Sequence, residues 1–450
     1  MHAIINGRIV LNDKVLDGCA LMFDEKIKGI VSRETLDAAW ENEKCWQGKP
    51  LALTDACGAY VSPGFINMHI HGCAGADTMD AKADTLEIMS RFLVQTGVTS
   101  FLPTTMTCEM QEIHKALEHI REAATVITRR RGGKPEALLD EQVTAPEAET
   151  QKYVPARGVQ EDSFTMQSGL PDDKLARGKN ILPGAKVLGA YLEGPFINNA
   201  YKGAQKEEQI KTADFAFIKD FADVIKVVVL APETLEHTEK VKDFIARCKA
   251  HNIIVSLGHS AADYGTALQA IEAGASHVTH LCNAMTGLHH RQPGLLGAAL
   301  DTGVTCELIA DNLHIHPAVQ RMIYRTKGAD GLALITDSMR ACGLAEGVSE
   351  LGGQTVYVKN GAARLADGTI AGSVVTLNRA MANFRENTGA TVPEVVRMVT
   401  ENQAQELGLF EKIGSLSPGS AADITLFDEN FTILYTFVDG REVYKNPEFR

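Results

Sequence analysis

Ile225-Lys226-Val227-Val228-Val229-Leu230-Ala231 is followed by a helix-like stretch at 238–251 and then by Ile253-Ile254-Val255-Ser256-Leu257-Gly258-His259. Both flanking runs are apolar and short, as buried strands are, while the piece between them has the spacing of an amphipathic helix. A helical crossover makes the two strands parallel neighbours. The same alternation extends in both directions, with strand candidates at 61–71, 98–105, 186–193, 225–231, 253–259, 277–283, 305–311 and 332–337. Helical segments fall between most of them, for example at 84–95 and 261–273. Eight strands with intervening helices predict an α/β fold, a closed (β/α)8 TIM-like barrel over 61–352. That span exceeds the ~250 residues typical of such a barrel. The excess lies at 129–183, which opens with Arg129-Arg130-Arg131-Gly132-Gly133, shows little periodicity and reads as a surface insertion without a part in chemistry.

The two ends of the chain resemble each other and differ from the middle. Residues 2–31 read as short strands with turns at Asn6-Gly7, Asn12-Asp13 and Asp17-Gly18. Residues 421–445 read likewise, and Asp439-Gly440 is a hairpin signal. Residues 355–374 add strand-like pieces around Asn360-Gly361 and Asp367-Gly368. The expectation is one small β-sandwich domain built from 1–60 and 353–450.

Composition limits the function classes. Of 450 residues, 45% are hydrophobic and 22% charged, as in ordinary globular chains. A net charge of −13 disfavours a broad nucleic-acid surface or an acidic membrane partner; an anionic substrate would need local cations or metals. No run reaches the ~18 apolar residues that a membrane span requires. Nine cysteines lie far apart with no CxxC pair, and the first residues show no basic or apolar leader. The expected location is therefore a reducing cytoplasm.

Barrel chemistry sits at the C-terminal ends of the strands. The first candidate strand ends in His69-Ile70-His71-Gly72, an i, i+2 pair whose imidazoles share a face. Leu192-Glu193-Gly194-Pro195, Gly258-His259-Ser260, Thr279-His280-Leu281 and Thr336-Asp337-Ser338 close the third, fifth, sixth and eighth. Each supplies a hard or borderline metal ligand at one level of the barrel. Alone, any of them could be a structural residue; together they point to a metal site.

These stretches carry a resemblance. The segments 63–72, Leu192-Glu193-Gly194-Pro195-Phe196-Ile197-Asn198, Gly258-His259-Ser260 and Thr279-His280-Leu281-Cys282-Asn283-Ala284-Met285 are similar to those of the N-acetylglucosamine-6-phosphate deacetylases, within the amidohydrolase superfamily. Ala310-Asp311-Asn312-Leu313-His314, Ile335-Thr336-Asp337 and Ala371-Gly372-Ser373 continue it in order. The resemblance covers almost everything but 129–183, and its third and sixth strand ends are more specific to these deacetylases than the HxH pair.

The resemblance implies one divalent metal on Glu193, His259 and His280, and a second on His69 and His71 with Glu193, beside Asp337. Relatives without HxH use one metal, so one or two per chain are expected, with zinc favoured and Fe, Mn or Co suited to the same ligands. Many amidohydrolases bridge their metals with a lysine on strand four; Lys226 stands at that strand's start, so Glu193 is the better bridging candidate. A metal lowers the pKa of bound water towards ~7 and supplies hydroxide. Asp337 is the expected general base and acid. The resemblance further implies substrate contacts from Asn283, Ala284 and His314, and from Arg291 reaching the phosphate in the neighbouring subunit of a homodimer. In Lys202-Gly203-Ala204-Gln205, relatives lacking HxH place a histidine at the fourth position; Gln205 is expected to orient substrate here. His316 and the histidines at 2, 114, 119, 237, 251 and 277 read as structural, while His289 and His290, which flank the Arg291 loop, are left unassigned. The implied reaction converts N-acetyl-D-glucosamine 6-phosphate to glucosamine 6-phosphate and acetate. Rival readings are another amidohydrolase activity, an amino-acid deacetylase or cyclic-amide hydrolase, and a non-catalytic scaffold of the same fold.

Overall fold

The computed structural model describes residues 1–43, 45–46, 48–129 and 184–449. The insertion expected at 129–183 thus lies outside the described residues, apart from Arg129 at the end of helix Met110–Arg129.

The eight barrel strands are β1 (Phe65–Ile70), β2 (Val98–Pro103), β3 in two pieces (Lys186–Val187 and Ala190–Leu192), β4 (Ile225–Leu230), β5 (Ile254–Leu257), β6 (His277–Val278), β7 (Thr305–Ile309) and β8 (Leu332–Ile335). Each pairs in parallel with the next. The first piece of β3 joins β2, the second joins β4, and a bridge from Thr104 to Tyr191 spans the gap. The cylinder closes where Asn67 Nδ2 donates to Thr336 Oγ1 at 2.8 Å. Beyond that point Asp337 N donates to His69 O at 3.0 Å and His71 N to Ser338 O at 2.9 Å. Helix Thr238–Ala250 shows how the outer ring is held: Val241, Phe244, Ile245 and Cys248 form its buried stripe. They face a sheet in which Val227, Val228, Val229 and Leu230 are fully buried.

Three strand readings needed correction, each at a backbone feature. The run 61–71 is two strands: Tyr60–Pro63 belongs to the β-domain and only Phe65–Ile70 to the barrel. Gly64 separates them, packed so closely that a Cβ would lie 2.3 Å from the Thr99 side chain. The run 186–193 breaks at Gly189, which has φ +145 and sits against Val224 O. In the run 277–283 only His277–Val278 pairs, because His280 and Cys282 have φ of 28 and 76.

The small domain is a sandwich of two sheets. One orders Ile27–Ser32, Cys19–Phe23, His2–Ile5 and Ala52–Asp55; the other orders Arg441–Lys445, Ile433–Val438, Ile424–Phe427, Tyr60–Pro63, Arg8–Val10 and Val15–Leu16. Leu21, Phe23, Val61, Ile424 and Phe437 lie in its core. Asp439-Gly440, both at positive φ (48 and 72), forms the expected tight turn. The strand pieces read at 355–374 do not join the sandwich. Gly347–Leu351, Gln354–Lys359 and Ala362–Arg364 make a separate antiparallel meander, tied to the barrel by the Ser338–Ser373 bridge. Residues 377–406 are helices Leu377–Thr388, Val392–Met398 and Glu401–Glu406. They lie on the barrel: Gln403 accepts from Met68 N and donates to Leu334 O, and Asn402 donates to Leu332 O.

An ion cluster around the buried Lys186 and Asp423 joins the two units. Lys186 Nζ on β3 lies 2.6 Å from Asp423 Oδ2 and 3.1 Å from Asp439 Oδ1 of the sandwich. Among the described residues no helix is long and apolar enough to cross a membrane. The cysteines whose side chains are described are free thiols, with only Cys57 exposed.

Candidate active site

The strand ends converge at the barrel mouth. His259, His280 and Asp337 leave their strands with φ of 47, 28 and 46, backbone that non-glycine residues seldom adopt. Such strain costs of order 1–3 kcal/mol per residue and tends to occur at functional positions. Two groups of donors result, His69, His71 and Asp337 in one and Glu193, His259 and His280 in the other, all buried.

Glu193 connects the groups. Its Oε1 lies 3.0 Å from His259 Nε2 and 3.0 Å from His280 Nε2, while Oε2 lies 3.1 Å from His71 Nε2. Burial alone would raise its pKa, but His259, His280 and His71 hold it well below the ordinary range. Asp337 Oδ1 is 3.1 Å from His71 Nε2 and 3.5 Å from His69 Nε2. Burial pushes the Asp337 pKa up, and the charges of His69 and His71 bring it below its usual value. For His71, burial lowers the pKa, but hydrogen bonds to Asp337 and Glu193 raise it well above normal.

The outer ring nitrogens show what the inner ones can do. His69 Nδ1 faces Glu307 Oε2 at 2.9 Å, His71 Nδ1 faces Thr104 O at 3.3 Å and His259 Nδ1 faces Tyr201 O at 2.8 Å. These partners only accept, so each Nδ1 donates outward, and once a cation displaces any second proton each ring would present an Nε2 lone pair inward. His259 Nε2 and His280 Nε2 are 3.0 Å apart, and buried His69 Nε2 has no hydrogen-bond partner. Inward lone pairs beside two carboxylates form a donor set for a cation, and the nitrogen–carboxylate chemistry fits a divalent transition metal.

A cavity of about 420 Å³ opens above these groups. Its wall includes His71, Glu193, Gln205, His259, His280, Asn283, Ala284, His314 and Asp337, so the fold gathers nearly all the candidates; His69 sits directly beneath. Arg291 is the exception: it is exposed, outside this chain's cavity, with Nη1 2.7 Å from His290 Nε2. His314 is oriented by Asp311, whose Oδ2 is 2.6 Å from its Nδ1. Gln205 is engaged at both ends of its amide: Nε2 donates to Glu193 Oε2 and Oε1 accepts from Thr107 N, both at 2.7 Å. Lys226 reaches back to Asp223 O at 3.2 Å, away from the mouth. His316 accepts from Ala318 N at the start of helix Pro317–Lys327.

Several wall residues had no signal in the sequence. Met106, Tyr201, Leu351, Thr369 and Ile370 line the cavity, the last three from the meander and the chain following it. Glu233 likewise carries no signal in the sequence: it accepts from Ser260 Oγ at 2.7 Å and Asn198 Nδ2 at 2.9 Å, bracing the third and fifth strand ends.

Residues 60–443 match the amidohydrolase family. The chain belongs to that family. It is 37% identical over 391 residues to the N-acetylglucosamine-6-phosphate deacetylase of Bacillus subtilis, covering 86% of this chain and 85% of that one. With the N-acetylgalactosamine-6-phosphate deacetylase of Escherichia coli O157:H7 it shares 32% identity over 397 residues, 87% of this chain and 90% of the other. The crystal structure of N-acetylglucosamine-6-phosphate deacetylase from Pasteurella multocida superposes with a TM-score of 0.78 at 30% identity, covering 99% and 100% of the two chains. The barrel with a small β-domain is thus the architecture of this amidohydrolase.

Proposed function

We propose that this amidohydrolase cleaves the acetamide of N-acetyl-D-glucosamine 6-phosphate to give glucosamine 6-phosphate and acetate. The observation that carries the reading is the convergence of six donor side chains, five lining one cavity and His69 beneath it, with Glu193 between the two groups and Asn283, Ala284 and His314 on the same wall. Relatives named for this deacetylation support the substrate.

Glu193, His259 and His280 would hold one divalent cation, and His69, His71 and Asp337 a second, with Glu193 shared. Zinc suits these ligands best; Fe, Mn and Co suit them too. Bound there, such a cation polarises an acyl carbonyl and makes water acidic enough to attack at neutral pH. Asp337 takes a proton from the attacking water as the new C–O bond forms. It then delivers that proton to the amide nitrogen as the C–N bond breaks, leaving acetate and a free amine. Gln205 acts through the Glu193 carboxylate, which it holds turned, as well as on the substrate. Asn283, the Ala284 backbone and His314 bind the sugar. Among the described residues the cavity wall carries no lysine or arginine for the anionic end, so Arg291 of a second copy is assigned to the phosphate, in a homodimer. In domain terms we propose a sandwich from 1–63 and the C-terminal strands, with the 377–406 helices counted with the barrel.

The test is acetate release from N-acetylglucosamine 6-phosphate with and without chelator. One relative is named for the galactosamine substrate, so the C4 epimer belongs in the same assay. Release from neither sugar phosphate would overturn the reading.

A further inference from the structure

Beneath the site, in the barrel interior, lies a carboxylate that the reaction above does not use. Glu307 is in the middle of β7 and is fully buried, a position where desolvation makes a charge costly unless every oxygen is engaged. Its Oε2 accepts from His69 Nδ1 at 2.9 Å and from the backbone N of His280 at 3.1 Å. Its Oε1 faces His277 Nε2 at 3.2 Å. His277, also fully buried, turns its Nδ1 to Glu406 Oε2 at 3.3 Å, and Glu406 Oε1 accepts from Thr305 Oγ1 at 2.7 Å. A continuous run Glu406–His277–Glu307–His69 thus leads from the helix Glu401–Glu406 outside the barrel to a side chain of the site.

We infer that Glu307, clamped from behind by His277, is a positioning residue that holds His69 in the one orientation and tautomer in which its Nε2 can ligate. The carboxylate can only accept, so the proton stays on Nδ1. Nε2 is then a lone pair aimed between Asp337 Oδ1 at 3.5 Å and Glu193 Oε1 at 3.7 Å, with no other partner. Tyr191 stacks on the ring with centroids 4.4 Å apart, which fixes its plane but not its flip. Among the described residues, Glu307 alone hydrogen-bonds to either ring nitrogen. Its second bond, from His280 N, supports the φ 28 turn that carries His280 into the other ligand group, and the amide oxygen of Glu307→Gln can still accept it. His277 meets a carboxylate at each nitrogen; burial works to lower its pKa, yet Glu307 and Glu406 raise it to about 9, so it donates to both.

This inference rests on the proposed metal reading of His69. Carboxylates behind histidine ligands typically change metal affinity 10–100-fold. In protein reconstituted with Zn²⁺ and dialysed against a fixed chelator, Glu307→Gln should therefore lose about 10–100-fold in affinity at one of two sites. Its zinc content should fall towards that of His69→Ala. Glu307→Gln added to His69→Ala should lower zinc no further, because its effect passes through that ring. His277→Gln, which leaves the Glu307–His69 bond in place, should show a smaller loss, again absent in the His69→Ala background. It decides the question alone if Glu307→Gln does not fold. Additive zinc loss in the double variants, or unchanged zinc in the single ones, overturns the inference while leaving the site reading intact. Unchanged zinc in His69→Ala itself overturns both.

Discussion

Replacing Asp337 with Asn separates proton transfer from scaffolding. The residue sits at φ 46, a conformation asparagine adopts more readily than most side chains. Its backbone ties, from N to His69 O at 3.0 Å and from Ser373 N to its own O at 2.8 Å, do not involve the side chain. The substitution keeps size and shape and removes the basic, negatively charged oxygen facing His71 and His69, which would also weaken the second cation group that Asp337 completes. Fold and the Glu193–His259–His280 group should survive. The loss is then that of a positioned general base, ~10²–10⁴ in rate. That corresponds to about 2.7–5.5 kcal/mol of barrier. The assay is acetate release at saturating substrate, with zinc content and thermal melting measured on the same preparation. Turnover above about a tenth of the parent's, in folded and metal-loaded protein, would refute the role of Asp337.

Lys186→Met should strand Asp423, which is only 3% exposed, and destabilise the chain by ~3–5 kcal/mol in urea unfolding; a loss under ~1 kcal/mol would mean that this cluster does not bind the two units together. If Arg291 serves a second copy's site, mixing Arg291→Ala chains with Asp337→Asn chains should restore activity, since one site of each heterodimer regains both residues. No recovery after verified subunit exchange would place the arginine's action within its own chain.

The parallel unit around β4 and β5 was legible because its strands are continuous apolar runs and its helix has a clean stripe. The donors were legible because each closes a strand, where topology alone aligns them. What escaped did so for physical reasons. The run 61–71 hides a change of sheet, since both strands are buried and only Gly64 marks the corner. Asn360-Gly361 specifies a tight turn as firmly as Asp439-Gly440 does, but turn chemistry says nothing about which sheet a hairpin joins; the first builds the meander at the barrel mouth. Glu307 lies mid-strand, and in a barrel strand alternate residues face the helices and the interior, so a single charge gives no sign of which way it points. Met106, Leu351 and Ile370 carry no chemistry of their own and reach the cavity only through tertiary packing.

The most direct test of the account is acetate release from N-acetylglucosamine 6-phosphate by the purified protein before chelation, after it, and after adding zinc back. Release that is lost with the metal and restored with it is the predicted result. Undiminished release from metal-free protein, or none from fully metal-loaded protein, would contradict the reading of the Glu193-centred cluster as a hydrolytic metal site.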